Sequence, residues 1–189
     1  MKKNVWIINH YATDMYFNEG GRHYWFAKYL IRRGYEVTII CSNRRHVNNE
    51  YVELGKEKFK MINHHDINFV FIKTPHARTI FKRVLGMFVF YMNTIMQTKK
   101  LNDILPVDIL LASSVHPLAI YAGLRIKKRL NIPLISEIRD LWPESLVAYG
   151  FLKRKSILAK ILYYFEKKMY VQSDKVIMTW EGGYDYILY

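Results

Sequence analysis

Short apolar runs alternate along this chain with longer segments in which apolar residues return every third or fourth position. Residues 5–9, 36–41, 68–73, 107–112, 134–138 and 173–179 are rich in Val, Ile, Leu and Phe and read as strands. Residues 22–33 read as a helix, with Trp25, Phe26, Tyr29 and Leu30 along one stripe, Lys28, Arg32 and Arg33 elsewhere, and Gly34 as the stop. Further helical spacing covers residues 78–101, 118–130 and 151–170. Residues 10–21 form a polar loop ending in Glu19-Gly20-Gly21. Residues 43–66 are polar and read as loop and helix surface. Strand and helix alternate nearly throughout, without a repeat or low-complexity linker. That order predicts an α/β, Rossmann-like parallel sheet with helices on both faces, built as a single domain over residues 1–189.

In such a sheet, ligands bind outside the carboxyl ends of the strands, so the residues just after each strand carry the candidate chemistry. The richest of these segments is Ser136-Glu137-Ile138-Arg139-Asp140-Leu141-Trp142-Pro143-Glu144-Ser145, where ionisable residues and a Trp-Pro pair directly follow an apolar run. Pro143 ends the extended run and suits the first turn of a helix. Glu137 has two readings, a ligand contact or an ion pair with Arg139 or another base, and Trp142 reads as packing more than as a ligand contact. After the first strand, Gly20-Gly21 ahead of a helix allows close backbone approach to an anion. A plain turn is the competing reading, since neither GxGxxG nor a GKS/T phosphate loop is present. After the fourth strand comes Ser113-Ser114-Val115-His116-Pro117. His46, His64 and His65 show no metal-ligand spacing, so no metal site is expected.

Composition adds a partner class. The formal net charge of +13, from 29 Lys and Arg against 16 Asp and Glu, implies an anionic partner: nucleic acid, a phosphate-rich ligand or an acidic membrane surface. Residues 78–101 and 151–170 join that charge to apolar residues; the first reads as a core helix, with an interfacial helix as the alternative, and the second resembles an interfacial helix in composition. The basic residues are scattered, and no helix-turn-helix, zinc finger or RNP-like pattern occurs, so no nucleic acid is expected. The single cysteine, Cys41, excludes an internal disulfide and reads as a packed strand residue in a reducing, cytoplasmic protein. The opening apolar run is too short for a signal peptide, and no run reaches the roughly 20 residues of a membrane span.

Four segments together resemble the N-terminal half of a retaining GT-B glycosyltransferase of family 4, of the type that transfers amino sugars in bacterial surface polysaccharide synthesis. They are Asn9-His10-Tyr11 with Gly20-Gly21-Arg22-His23-Tyr24, the helix end and strand from Leu30 to Thr38, Ala112 to Leu118, and Glu137 to Ser145. The last is the most specific, and the Gly-Gly loop is shared by many GT-B enzymes.

The resemblance implies that this domain binds the acceptor, while the nucleotide-sugar donor is expected at a C-terminal domain absent from the sequence. No cofactor is expected on this domain itself. Gly20, Gly21 and Arg22 would lie against the donor diphosphate, and His116 resembles the family histidine near the reacting carbon. Arg139, Asp140 and Glu144 would line the acceptor side, Arg139 able to hold a phosphate oxygen bidentately. The implied partners are a lipid-linked saccharide, an anionic membrane surface on the cytoplasmic side and a donor-binding half. That half belongs either to a longer enzyme or to a separate chain. A non-catalytic subunit of a split transferase is therefore the alternative function, and a basic nucleic-acid-binding module a more distant one.

Overall fold

The computed structural model describes residues 2–45, 50–76 and 79–188. His46 and Arg78, noted above, lie outside them. Elements follow in the order β1 (Asn4–Ile8), α1 (Thr13–Phe17), α2 (Arg22–Arg32), β2 (Glu36–Ser42), β3 (Phe59–His64), β4 (Ile67–Ile72), α3 (Ile80–Ile104), β5 (Ile109–Ser114), α4 (Pro117–Leu130), β6 (Leu134–Ile138), α5 (Glu144–Ala148), α6 (Ile157–Gln172), β7 (Lys175–Met178) and α7 (Gly183–Leu188).

The strands form one seven-stranded sheet in the order β3-β4-β2-β1-β5-β6-β7. All neighbouring pairs are parallel except β3 with β4. The chain builds outward from β1 to one edge, then returns to β5 and builds the other. The gap between β1 and β5 is therefore the topological switch point, where crossovers leave to opposite sides and open a crevice at the carboxyl edge.

Period-two alternation assigns each strand residue to a face. Val5 and Ile7 pack with Ile39, Cys41, Phe69, Phe71 and, from α2, Tyr24 and Ala27. Trp6 and Ile8 face the other way, against Ile40, Val70, Phe90 and Leu101 of α3, Ala119 and Ile120 of α4, and Met169 of α6. Helices thus cover both faces, as the alternation predicts. Trp6 is fully buried and its indole N–H donates to the Leu105 carbonyl at 3.1 Å. Gly123 lets α4 sit on the sheet: a Cβ there would come within 2.9 Å of the Ala112 Cβ and 3.0 Å of Leu134 Cδ1. Cys41 is fully buried in β2, and burial pushes its thiol up to about 12, in keeping with a packing role.

Three features differ from expectation. β3 lies within residues 43–66, expected as loop and helix surface. It is an edge strand with no fully buried residue, so it lacks the apolar run that marks a buried strand. It pairs with β4 through the tight turn His65-Asp66, both at positive φ (52° and 66°), where Asn-Gly would have been the legible signal. The last long helix starts at Ile157 rather than residue 151, because Ser156 caps it by accepting from the Ala159 N–H at 3.2 Å. Ser113 and Ser114 belong to β5 itself rather than to the turn after it.

Candidate ligand site at the carboxyl edge of the sheet

The buried centre of the carboxyl edge is Glu137. On β6 it points to the α2 face, opposite Ser136 and Ile138, and its side chain is completely buried. One carboxylate oxygen accepts from Arg22 Nε at 2.6 Å and the other from His23 Nε2 at 2.7 Å. The Asn9 amide fixes that imidazole. Its Oδ1 accepts from the Tyr11 N–H at 3.0 Å, so its Nδ2 donates to His23 Nδ1 at 2.9 Å and leaves the Nε2 proton for Glu137. The Ser113 hydroxyl is buried without a well-aligned partner, and Glu137, paired with Ser113 across β5 and β6, is the acceptor beside it. Burial pushes the Glu137 carboxyl up, but His23, Ser113 and Arg22 together outweigh it and hold the group at about 2. Of the two readings of Glu137 the structure shows the ion pair, and its base is Arg22.

A second buried pair spans the switch point. His10, just past β1, and His116, just past β5, meet through Nδ1 and Nε2 at 2.7 Å. The His10 ring stacks between Tyr11 and Phe90, each at 4.5 Å. His116 occupies the N-cap position of α4 but makes no side-chain cap hydrogen bond there, so it is not a turn-capping residue. Its Nδ1 is buried and has no hydrogen-bond partner among the described residues, and burial lowers the imidazole to about 4. At neutral pH His116 is therefore an uncharged donor and acceptor.

Gly21 precedes α2 at φ 102°, a conformation open to glycine, and supplies no side-chain cap. The first-turn N–H groups of α2 are thus left for an incoming acceptor. Arg22 begins that helix, half exposed. Its Nε is committed to Glu137 and its guanidinium lies over Phe26 at 4.7 Å, while its terminal nitrogens have no partner among the described residues.

Arg139, Asp140 and Glu144 come together as expected, lining one open pocket of about 300 Å³ with Leu141, Ser145, Ala148 and Trp180. Arg139 and Asp140 are exposed, whereas the Glu144 carboxylate is already engaged by Arg154 and Tyr163. Trp142 turns away from this pocket. It lines an apolar one of about 360 Å³ with Tyr91, Pro117, Tyr121 and Phe165, between α3, α4 and α6, which fits the packing reading.

Asn9, His10 and His23 lie in the segments that carry the family resemblance, but the sequence assigns them no role in the site. Asn9 and His10 directly follow β1, and His23 follows Arg22, so position at a strand end or helix start was the available signal.

The parallel sheet with its switch-point crevice, an uncapped helix start on one side and a charged pocket on the other, defines a Rossmann-like domain. Residues 24–186 match Glycosyltransferase Family 4, and the chain belongs to that family. Among solved structures it resembles the sucrose-phosphate synthase of Thermosynechococcus elongatus, with a TM-score of 0.63 at 12% sequence identity. The match covers 99% of this chain and 45% of that one, so the chain spans less than half the length of this relative. The fold is that of one half of a GT-B glycosyltransferase. No curated sequence gives a significant match.

Proposed function

We propose that this chain is the acceptor-binding half of a retaining glycosyltransferase. It would act where a sugar passes from a nucleotide-sugar to a lipid-linked saccharide in surface polysaccharide synthesis, on the inner face of the cytoplasmic membrane. The observation that carries this reading is the placement of exposed apolar and basic residues at the same end of the molecule as the pocket. Crossover helices run antiparallel to their strands, so α3 and α6 begin at the carboxyl edge. Ile80, Phe81 and Val84 of α3 are exposed there, as are Phe151, Ile157 and Leu158 before and within α6, with exposures from 56% to 82%. Lys82, Arg83, Lys153, Arg154, Lys155 and Lys160 stand exposed among them. From Gly86 onward α3 buries one stripe in the core, as a core helix does, and the exposed apolar and basic residues of its first turn support the interfacial reading. No helix among the described residues is long and apolar enough to cross a membrane, and surface attachment supplies the contact with a lipid-linked substrate.

In this arrangement Arg139 and Asp140 hold the acceptor's diphosphate and sugar, and the apolar pocket beside Trp142 lies next to the path of its lipid. The α2 start, with Gly20, Gly21 and Arg22, faces the donor diphosphate, and His116 Nδ1 meets a sugar hydroxyl. The donor-binding half is supplied by further chain or by a partner chain.

Two measurements test this reading. The chain should sediment with vesicles containing anionic lipid and leave them at high salt, since each nearby base contributes on the order of 1 kcal/mol. Equal recovery with neutral vesicles at high salt would remove the electrostatic part. In nanodiscs, a polyprenyl diphosphate sugar should bind saturably and Arg139→Ala should weaken it about tenfold or more, from loss of a charge-assisted bidentate contact. Unchanged binding by that variant would sink the assignment of the acceptor pocket.

A further inference from the structure

At the far edge of the sheet, three side chains from separate parts of the chain converge on one point. Glu19 ends the loop after α1, directly before Gly20-Gly21. His64 closes β3 and His65 begins the β3–β4 turn. Neighbouring strand residues ordinarily point to opposite faces. Here His65 has left the strand for positive φ, and its ring swings alongside that of His64, 4.2 Å away. Both Nε2 atoms then face the same oxygen of Glu19, at 3.0 Å from His64 and 3.5 Å from His65. The three ligand atoms all lie within 4.8 Å of one another.

Those distances are informative. A tetrahedral ion with bonds of roughly 2.0–2.1 Å to nitrogen and oxygen holds its ligand atoms roughly 3.3 Å apart. A carboxylate oxygen has room for two donors, and the His64 contact at 3.0 Å supplies one of them. The second ring, turned to the same oxygen beyond hydrogen-bond reach, is in the position a third ligand takes around an ion. The setting also supports the ligands from behind. Tyr16 of α1 packs edge-on against the His64 ring at 5.0 Å, and Lys28 of α2 donates to the His65 carbonyl at 3.3 Å, fixing the turn. Glu19 and His65 are about half exposed, which gives an ion a path from solvent.

We propose that Glu19, His64 and His65 form a binding site for a divalent transition ion of the Zn²⁺ class, through two imidazole nitrogens and a carboxylate, with water completing the shell. Two imidazoles and one carboxylate suit Zn²⁺, Co²⁺ and Ni²⁺ rather than Mg²⁺ or Ca²⁺, which take oxygen ligands. An ion here joins the β3–β4 hairpin to the residue before the glycine pair. It therefore restrains the loop that leads into α2. The site stands apart from the carboxyl-edge crevice and does not depend on the glycosyl-transfer reading.

The test is calorimetric titration of the full chain, first freed of metal by a chelator, with Zn²⁺. Co²⁺ serves as the optical probe for tetrahedral coordination. One equivalent should bind with a dissociation constant in the micromolar range or below, and Mg²⁺ should not compete. Glu19→Gln, His64→Ala and His65→Ala should each weaken binding at least tenfold with unchanged circular dichroism. Hydrogen exchange should slow, on adding Zn²⁺, at Gly20 to His23 and in the β3–β4 turn. Absence of stoichiometric binding overturns the proposal, and so does binding that survives in the His64→Ala, His65→Ala double variant. Should the histidine variants fold poorly, Glu19→Gln alone decides it, because that side chain is exposed and outside every helix and strand.

Discussion

Replacing Glu137 by Gln lowers the stability of this chain at pH 7 by about 3 kcal/mol and removes an acid-dependent loss of stability that the unmodified chain shows between pH 4.5 and about 2. Above pH 4.5 the carboxyl is ionised in both the folded and the unfolded chain, and the contribution of its buried partners is fully present. As pH falls toward 2, the unfolded chain takes up a proton that the folded chain still refuses, so unfolding becomes easier; below about 2 the contribution is gone. The magnitude follows from a fully buried carboxylate whose oxygens are held by Arg22 and His23. Gln keeps the shape but offers the two donors a weaker acceptor and sets its own N–H₂ against one of them. Urea unfolding at half-unit pH steps measures both parts. A variant as stable as the parent, with the same acid limb, would mean that the Asn9–His23–Glu137–Arg22 chain contributes nothing net.

His116→Gln acts in a separate and higher pH window. The folded imidazole titrates at about 4 because it is buried, against 6.5 for the ordinary group. Above 6.5 both states hold a neutral ring, and between 6.5 and 4 only the unfolded chain binds the proton. The parent therefore loses about 3 kcal/mol of stability across that window, and His116→Gln does not. Gln retains an amide to meet His10 Nδ1, so the comparison isolates the titration from the loss of the hydrogen bond. Parallel curves for parent and variant from pH 6.5 to 4 would show that His116 is not the titrating group. The same burial bears on the proposed chemistry. At neutral pH His116 can hydrogen-bond a sugar hydroxyl through Nδ1, but it brings no positive charge to the reacting carbon.

The two windows overlap only between about pH 4 and 4.5, so one series of unfolding measurements resolves both residues. Each reports on a different side of the crevice: Glu137 on the junction of β6 with α2, and His116 on the switch point between β1 and β5.

Local pattern was sufficient for six of the seven strands and for four of the helices, because a buried strand or an amphipathic helix is written in residues two, three or four positions apart. It also placed Arg139, Asp140 and Glu144 together, since all three follow one strand within six residues. Residues 13–17 and 144–148 form short helices with no full apolar stripe to read. β3 escaped notice because an exposed edge strand needs no apolar run and its turn uses His-Asp in place of a glycine signal.

What the sequence by itself determined, then, is the alternating α/β order, the grouping of Arg139, Asp140 and Glu144 just past one strand, and the basic and apolar character of α3 and α6. The tertiary structure alone decided the partners. Glu137 meets Arg22 and His23 over separations of 115 and 114 residues, His10 meets His116 over 106, and Glu19 meets His64 over 45. Periodicity tells a side chain which face to take, but not which strand or helix will stand opposite. That is set by the strand order around the switch point, which brings β1 beside β5 and turns α2 toward β6.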